Sequence, residues 1–392
     1  MIVSHIVLKN WRNFQSVDVE LGNRVFLVGP NASGKSNFLD VFRFLRDIAK
    51  PGGGLQKAIS DRGGLSKIRC LAARKKPNVE IEVSLAKSAT KETLWKYALG
   101  IKQEVRGRHD TLLTYEKVWK GNQQILTRPD SNDEQDKLRL TQTHLEQISL
   151  NQEFREISKF FDSVQYLHLI PQLVRNPSAF PGPTIPGDPY GRNFLERVAR
   201  TTEKKRERLL KKIEEALRVA VPQLKNLTET KDEVGFPHLE ATYEHWRRRG
   251  VKQREDQFSD GTLRLIGLLW SLLDGDSLLL LEEPELSLNS GIVSKLPALM
   301  HRLQQQKKSR QRRQVILSTH SAELLSDKGI GGEEVLILSP SAEGTEVKVA
   351  SSIREIRDLL EGGLSIADAV LPKTVPKNIK DFYQTDYQTE LF

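Results

Sequence analysis

The residues best suited to chemistry lie in two stretches far apart in the chain. In the first, the apolar run Val25 to Val28 leads into Gly29, Pro30, Asn31, Ala32, Ser33, Gly34, Lys35 and Ser36, a GxxxxGKS spacing followed by Asn37. Gly29 and Gly34 let the backbone turn so that successive N–H groups point inward. Lys35 then reaches the β- and γ-phosphates, and Ser36 offers its hydroxyl to Mg²⁺. The pattern predicts a binder of ATP or GTP. Asn37 to Asp47 has helical spacing, so the positive end of that helix adds to the anion site.

In the second stretch, four leucines from Leu278 to Leu281 end in Glu282 and Glu283, followed by Pro284. A buried strand ending in consecutive carboxylates is what a nucleoside triphosphatase needs opposite its phosphate loop. Glu282 would hold Mg²⁺ through water, and Glu283 would orient or deprotonate the attacking water. Upstream, Ser259 is a natural N-cap for an apolar helix over Leu265 to Leu273, and the free N–H groups of that helix start can bind a phosphate. Downstream, the run Gln314 to Thr319 is another buried strand. It ends in His320, whose neutral imidazole would reach the γ-phosphate or the water.

Those side chains need elements to hold them. The sequence predicts two strands, the phosphate loop and a helix up to about residue 48. Short alternating runs at Val79 to Leu85, Leu94 to Ile101, Leu112 to Val118 and Gln124 to Thr127 predict an antiparallel sheet. Helical spacing covers Asp133 to Phe161, a strand Val164 to Ile170, and a long amphipathic helix Asn193 to Ala220, spanning on the order of 40 Å at 1.5 Å per residue. A hairpin is expected between Leu224 and Trp246. The organisation expected is an ATPase lobe over 1–175 containing a β-rich arm at 79–128, a helical insertion and hairpin over 176–250, a second catalytic lobe over 251–371 and a tail over 372–392.

Composition narrows the class of protein. Hydrophobic residues make up 38% and charged residues 28% of the 392 positions, which fits a globular protein with a polar surface. No apolar run approaches the roughly 18 residues of a membrane helix, and the alternating N-terminus does not read as a signal peptide. The single cysteine, Cys70, excludes an internal disulfide and a cysteine zinc cluster, and reads as a small core residue in a reducing cytoplasm. With 60 Lys and Arg against 51 Asp and Glu, the net charge of +9 favours polyanionic partners. Basic residues cluster at Arg74 to Lys76, Lys204 to Lys212, Arg247 to Arg249 and Lys307 to Arg313, which makes a nucleic-acid surface reasonable.

Taken together, these residues resemble the ABC-type P-loop ATPases of the SMC, RecF and OLD line, and among them the stand-alone ATPases of bacterial anti-phage systems. Ile6 to Phe14 looks like that group's first strands, and Gly29 to Ser36 is similar to its Walker A motif. Ser259, Asp260, Gly261 and Thr262 look like the signature, Leu278 to Glu283 like Walker B, Leu286 to Asn289 like the D-loop, and His320 like the switch histidine. Gln172 falls where the Q-loop glutamine, a metal ligand, would stand. Two positions depart from the usual pattern: Glu282 replaces an aspartate, and the signature reads SDGT instead of SGGQ.

The resemblance implies an α/β fold, an ABC-type head with an antiparallel β arm and a short helical insertion. It implies ATP and Mg²⁺ as ligands and Ser36, Glu282 and Gln172 around the metal. It also implies a head-to-tail homodimer, or an assembly of dimers, in which the signature completes the partner's site. The function expected is a cytoplasmic, DNA-associated ATPase that controls a separate effector protein, a nuclease, in anti-phage defence. A RecF-like repair ATPase is the alternative. A transporter subunit fits less well, because the segment between Ser36 and Ser259 is far longer than a compact transporter ATPase needs, and Glu283 and His320 argue against a non-hydrolysing switch. The residues after His320 are too few for the nuclease domain of OLD proteins, so the effector is expected on another chain.

Overall fold

The computed structural model describes residues 1–73, 78–87, 92–104, 110–180, 185, 187–244, 250–305 and 313–375. In chain order its strands are β1 (Ile2–Trp11), β2 (Phe14–Glu20), β3 (Arg24–Val28), β4 (Val79–Ala86), β5 (Thr93–Gln103), β6 (Thr111–Lys120), β7 (Gln123–Arg128) and β8 (Gln165–Leu167). There follow β9 (Leu224–Lys231), β10 (Pro237–Tyr243), β11 (Val251–Arg254), β12 (Leu279–Glu282), β13 (Val315–Thr319), β14 (Val335–Ser341) and β15 (Gly344–Val349).

The central sheet has the order β15-β14-β3-β13-β12-β8, with every pair parallel except β14 and β15. Its inner strands β3, β13 and β12 are near-continuous buried runs because both faces are covered. Alternation along the strands divides the interior in two. Val25, Leu27, Leu280 and Ile316 face one core with the aromatic residues of the Lys35–Ala49 helix. Phe26, Val28, Leu281 and Leu317 face another core with the Asp260–Leu273 helix.

The first core is closed by an antiparallel sheet of order β2-β1-β4-β5-β6-β7. The strands expected between 79 and 128 are β4 to β7, and they extend the sheet that β1 begins, with Leu8 opposite Ile81. The Lys35–Ala49 helix is wedged between the two sheets. Phe38, Phe42, Phe44 and Trp11 pack edge-on or tilted beneath it, each burial contributing roughly 1.5–3 kcal/mol. The start of this helix, where the phosphate loop ends, is therefore fixed from both sides.

Three local expectations change. The helix expected over Asn193 to Ala220 is two helices, Phe194–Arg200 and Glu203–Leu217, so its single 40 Å span is lost. Thr201 and Thr202 are extended (ψ 137° and 139°), and Thr201 bonds back to the Arg197 carbonyl at 3.0 Å. β-branched residues with a competing hydroxyl break a helix at little cost. Asp133 to Phe161 is broken into short pieces, α-helix at Ser131–Gln135 and Arg155–Asp162 and 3-10 helix at Lys137–Thr141 and Gln152–Phe154. Buried Arg128 draws the Arg139 and Gln142 carbonyls to itself, and this bends the segment away from a helix. Arg313, expected in a solvated basic cluster, is 1% exposed; it binds the Ser271, Asp274 and Ser277 carbonyls and caps the C-terminal end of the Asp260–Leu273 helix. Cys70 is buried, as expected. The clusters Arg74 to Lys76, Arg247 to Arg249 and Lys307 to Arg312, and the tail from Pro376, lie outside the described residues.

Candidate nucleotide site

The phosphate loop leaves β3 at its C-terminal end, the edge at which parallel α/β sheets bind ligands. Gly29 has no room for a side chain, since a Cβ would lie 2.5 Å from the Leu338 carbonyl oxygen. Gly34 has φ 96°, and a Cβ there would lie 2.2 Å from Asn13 Nδ2. Ala32 also takes a positive φ of 60°. Asn13, in the β1–β2 turn, braces this loop. Its Nδ2 donates to the Ser33 carbonyl at 2.9 Å and to Thr345 Oγ1 at 2.7 Å, and its Oδ1 accepts from Asn37 Nδ2 at 2.8 Å.

Lys35 is buried and donates to the Gly29 and Pro30 carbonyls, both at 3.0 Å. Burial holds its pKa below the usual lysine value, against the pull of Glu283, Glu282 and Glu285. The ammonium is thus folded back onto the loop it would serve. Asn31 and Ser36 are exposed, while the Ser33 hydroxyl is buried without a partner.

Glu282 ends β12 and is held from two directions. Ser36 donates to its Oε1, and Tyr166, which lies opposite Leu280 on the neighbouring β8, donates to its Oε2. Its neighbour Glu283 adopts φ 43°, a left-handed conformation that a non-glycine residue keeps only when its surroundings enforce it. That turn directs the Glu283 carboxylate to His320, with Nε2 to Oε1 at 3.2 Å. Burial and the charge of Lys35 lower the His320 pKa, with Glu283 opposing them. Glu285 lies beneath, accepting from Thr319 Oγ1 at 2.5 Å and from His320 N at 3.3 Å. Burial raises its pKa, and its Oε2 has no partner. The structure therefore brings Lys35, Ser36, Glu282, Glu283 and His320 together.

The signature residues sit apart from this cluster. Ser259 caps the Asp260–Leu273 helix, its Oγ accepting from Thr262 N at 3.2 Å, and remains exposed. Gly261 is close-packed, since a Cβ would meet the Ser287 carbonyl at 2.6 Å. Gln172 joins this group and not the metal side: its Nε2 donates to Asp260 Oδ2 at 3.3 Å, beside an Arg175–Asp260 ion pair at 2.6 Å. The strand it was expected to follow ends at Leu167, and His168 stands next, its Nδ1 3.3 Å from the Glu282 carbonyl oxygen.

Sequence reasoning missed Tyr166, His168, Glu285 and Asn13. Only Glu285, in the run Glu282 to Glu285, carried a signal. The donor set fits Mg²⁺, a hard cation that takes few protein oxygens and leaves the rest of its shell to phosphates and water. Ser36 and Glu282 are such oxygens. The tight, glycine-lined loop likewise fits a triphosphate.

Comparison with known proteins agrees with this geometry. Residues 24–326 match the family described as AAA domain, putative AbiEii toxin, Type IV TA system. Over 47 residues, 12% of this chain, the sequence is 47% identical to Endonuclease GajA of Bacillus cereus (strain VD045), a stretch covering 8% of that protein. The fold is similar to an SMC head crystallised with the C-terminal winged-helix domain of ScpA, with a TM-score of 0.54 at 13% identity over 89% of this chain and 98% of that one. An SMC head from Thermotoga maritima gives 0.46 at 12% identity over 89% and 99%. The chain belongs to the AAA-domain family named above, and its α/β fold is that of an SMC-like ATPase head.

Proposed function

From that membership, we propose that this protein is a Mg²⁺-dependent ATP hydrolase that works as a head-to-tail pair. The observation that carries the reading is the convergence of Lys35, Ser36, Glu282, Glu283 and His320 at the C-terminal ends of three adjacent strands. When nucleotide enters, Lys35 exchanges the Gly29 and Pro30 carbonyls for β- and γ-phosphate oxygens. Glu283 accepts the proton of the attacking water, and neutral His320 donates a hydrogen bond to the γ-phosphate. Ser36 and Glu282 would hold Mg²⁺, which would supply charge neutralisation on the phosphates.

The partner's signature helix would cover the γ-phosphate. Support comes from Ser259, exposed at a helix start where the N–H groups of Asp260 and Gly261 have no internal acceptor among the described residues. In this reading Gln172 leaves Asp260 for the metal side when the pair closes.

We further infer that the ATPase senses DNA and controls an effector on another chain. The net charge of +9 and the exposed Lys204, Arg208 and Lys211 on the Glu203–Leu217 helix support a polyanionic partner. The family description names a toxin, and the relative's name an endonuclease. No helix among the described residues is long and apolar enough to cross a membrane.

The test is the Glu283→Gln variant. It should retain ATP and lose turnover by roughly 10²–10⁴-fold, the usual worth of a positioned base. Hydrolysis near the wild-type rate would remove Glu283 from its role.

A further inference from the structure

Walker B motifs in general carry the shorter aspartate at the position of Glu282, and the extra methylene gives this carboxylate freedom that the site has to restrain. Three groups do so. Ser36 binds Oε1, Tyr166 binds Oε2, and His168 Nδ1 lies against the backbone oxygen of the same residue. Tyr166 is itself fixed: it is 6% exposed, its backbone is registered opposite Leu280 on β12, and the Arg43 guanidinium lies 4.2 Å over its ring centroid. Arg43 belongs to the Lys35–Ala49 helix, so the restraint is anchored in the element that carries the phosphate loop.

We propose that Tyr166 is a positioning residue for the metal, holding one oxygen of Glu282 so that the other stays directed at Ser36. The inference rests on the ATPase reading above. A hydroxyl hydrogen-bonded to a metal-facing carboxylate orients it and raises metal affinity, and removing such a partner typically costs ten- to a hundredfold. The phenol bonds the Glu282 carboxylate and not the phosphate loop, so its loss is expected to fall on metal and not on ATP. An aspartate at 282, one methylene shorter, would draw the carboxylate back from this hydroxyl, so the two residues depend on each other.

The experiment titrates Mn²⁺, followed by electron paramagnetic resonance, into full-length protein loaded with a non-hydrolysable ATP analogue, alongside metal-free binding of a fluorescent ATP analogue. Wild type, Tyr166→Phe, Glu282→Asp and the double variant are compared, with thermal melts to verify folding. Tyr166→Phe should weaken Mn²⁺ binding on the order of tenfold or more while leaving metal-free nucleotide affinity unchanged. In the Glu282→Asp background the same change should have less than about a twofold effect, since the coupled partner is gone. Mn²⁺ affinity of folded Tyr166→Phe equal to wild type, or an equal loss in both backgrounds, would overturn the proposal. If wild type itself binds neither nucleotide nor nucleotide-dependent Mn²⁺, the ATPase reading fails instead.

Discussion

Two groups of charges, one against the antiparallel sheet and one at the C-terminal ends of the parallel strands, are built on opposite rules. In the antiparallel sheet, Arg128 uses its guanidinium fully. It pairs with Asp133 at 2.8 and 2.9 Å and Glu116 at 3.1 Å, and donates to the Arg139 and Gln142 carbonyls. Glu116 accepts in addition from Tyr97 and from the His144 and Leu145 amides. At the ends of the parallel strands, Lys35 rests on backbone carbonyls, Glu285 Oε2 and Ser33 Oγ have no partner, and Ala32, Glu283 and Ser287 hold positive φ. A guanidinium and a carboxylate bonded in this way have nothing left to offer a ligand. The second cluster keeps donors and acceptors in reserve, and its backbone strain is maintained by the rigid sheet. Charge density alone does not mark a functional site; here strained backbone and unspent bonding capacity fall together at the ends of the parallel strands.

The sharpest way to break this comparison is to remove the central cation from each cluster. Lys35→Ala should lower ATP affinity by more than about 100-fold, the loss of a charge-assisted contact to a doubly charged phosphate, while leaving the melting temperature nearly unchanged. Arg128→Met should do the reverse. Leaving Glu116 and Asp133 without their partner should cost about 3–5 kcal/mol in urea unfolding, and nucleotide affinity should hold wherever the protein remains folded. Equal stability losses in the two variants would erase the distinction.

A smaller effect is expected from Asn13→Ala. It removes the brace between the phosphate loop, Asn37 and Thr345 and should weaken ATP binding about tenfold, the worth of roughly one to two net hydrogen bonds. Binding by this variant equal to wild type would mean the loop holds its shape without the brace.

Acid should separate the clusters as well. Burial, then the charge of Arg128, depress the His144 pKa from 6.5 to about 4. Between those values the unfolded chain takes up a proton that the folded chain does not. Stability should therefore fall as pH drops through that window, and His144→Gln should flatten the fall in urea midpoints. At the other cluster the lowered pKa of His320 keeps it neutral at pH 7, so the acid limb of hydrolysis should lie below pH 6.5. An acid limb above that value would mean that His320 is not the group titrating.

Sequence showed some of this and concealed the rest for physical reasons. The phosphate loop, the paired carboxylates and the Ser259 cap were legible because each is a local pattern in which a strand or helix end fixes the geometry. The split at Thr201 and Thr202 lay inside an intact hydrophobic period, and periodicity does not report a break that preserves phase. Arg313 read as surface because its acceptors, the Ser271, Asp274 and Ser277 carbonyls, lie far back in the chain. Asn13 and Tyr166 were invisible for the same reason: Asn13 meets Thr345, and Tyr166 meets Glu282, only after the sheets have formed. The displacement of Gln172 toward Asp260 follows from β8 ending early at Leu167.

The central claim is that one chain holds the phosphate loop and the carboxylates while a second supplies the signature helix. The most direct measurement is phosphate release from ATP by Lys35→Ala and Ser259→Arg proteins, separately and after mixing under conditions that exchange subunits. A two-fold pair of intact sites becomes, in a mixed pair, one site with both defects and one with none. The account predicts that each variant alone is inactive and that the mixture recovers part of the wild-type rate. No recovery, in mixtures shown to contain the mixed pair, would contradict it and assign the whole site to a single chain.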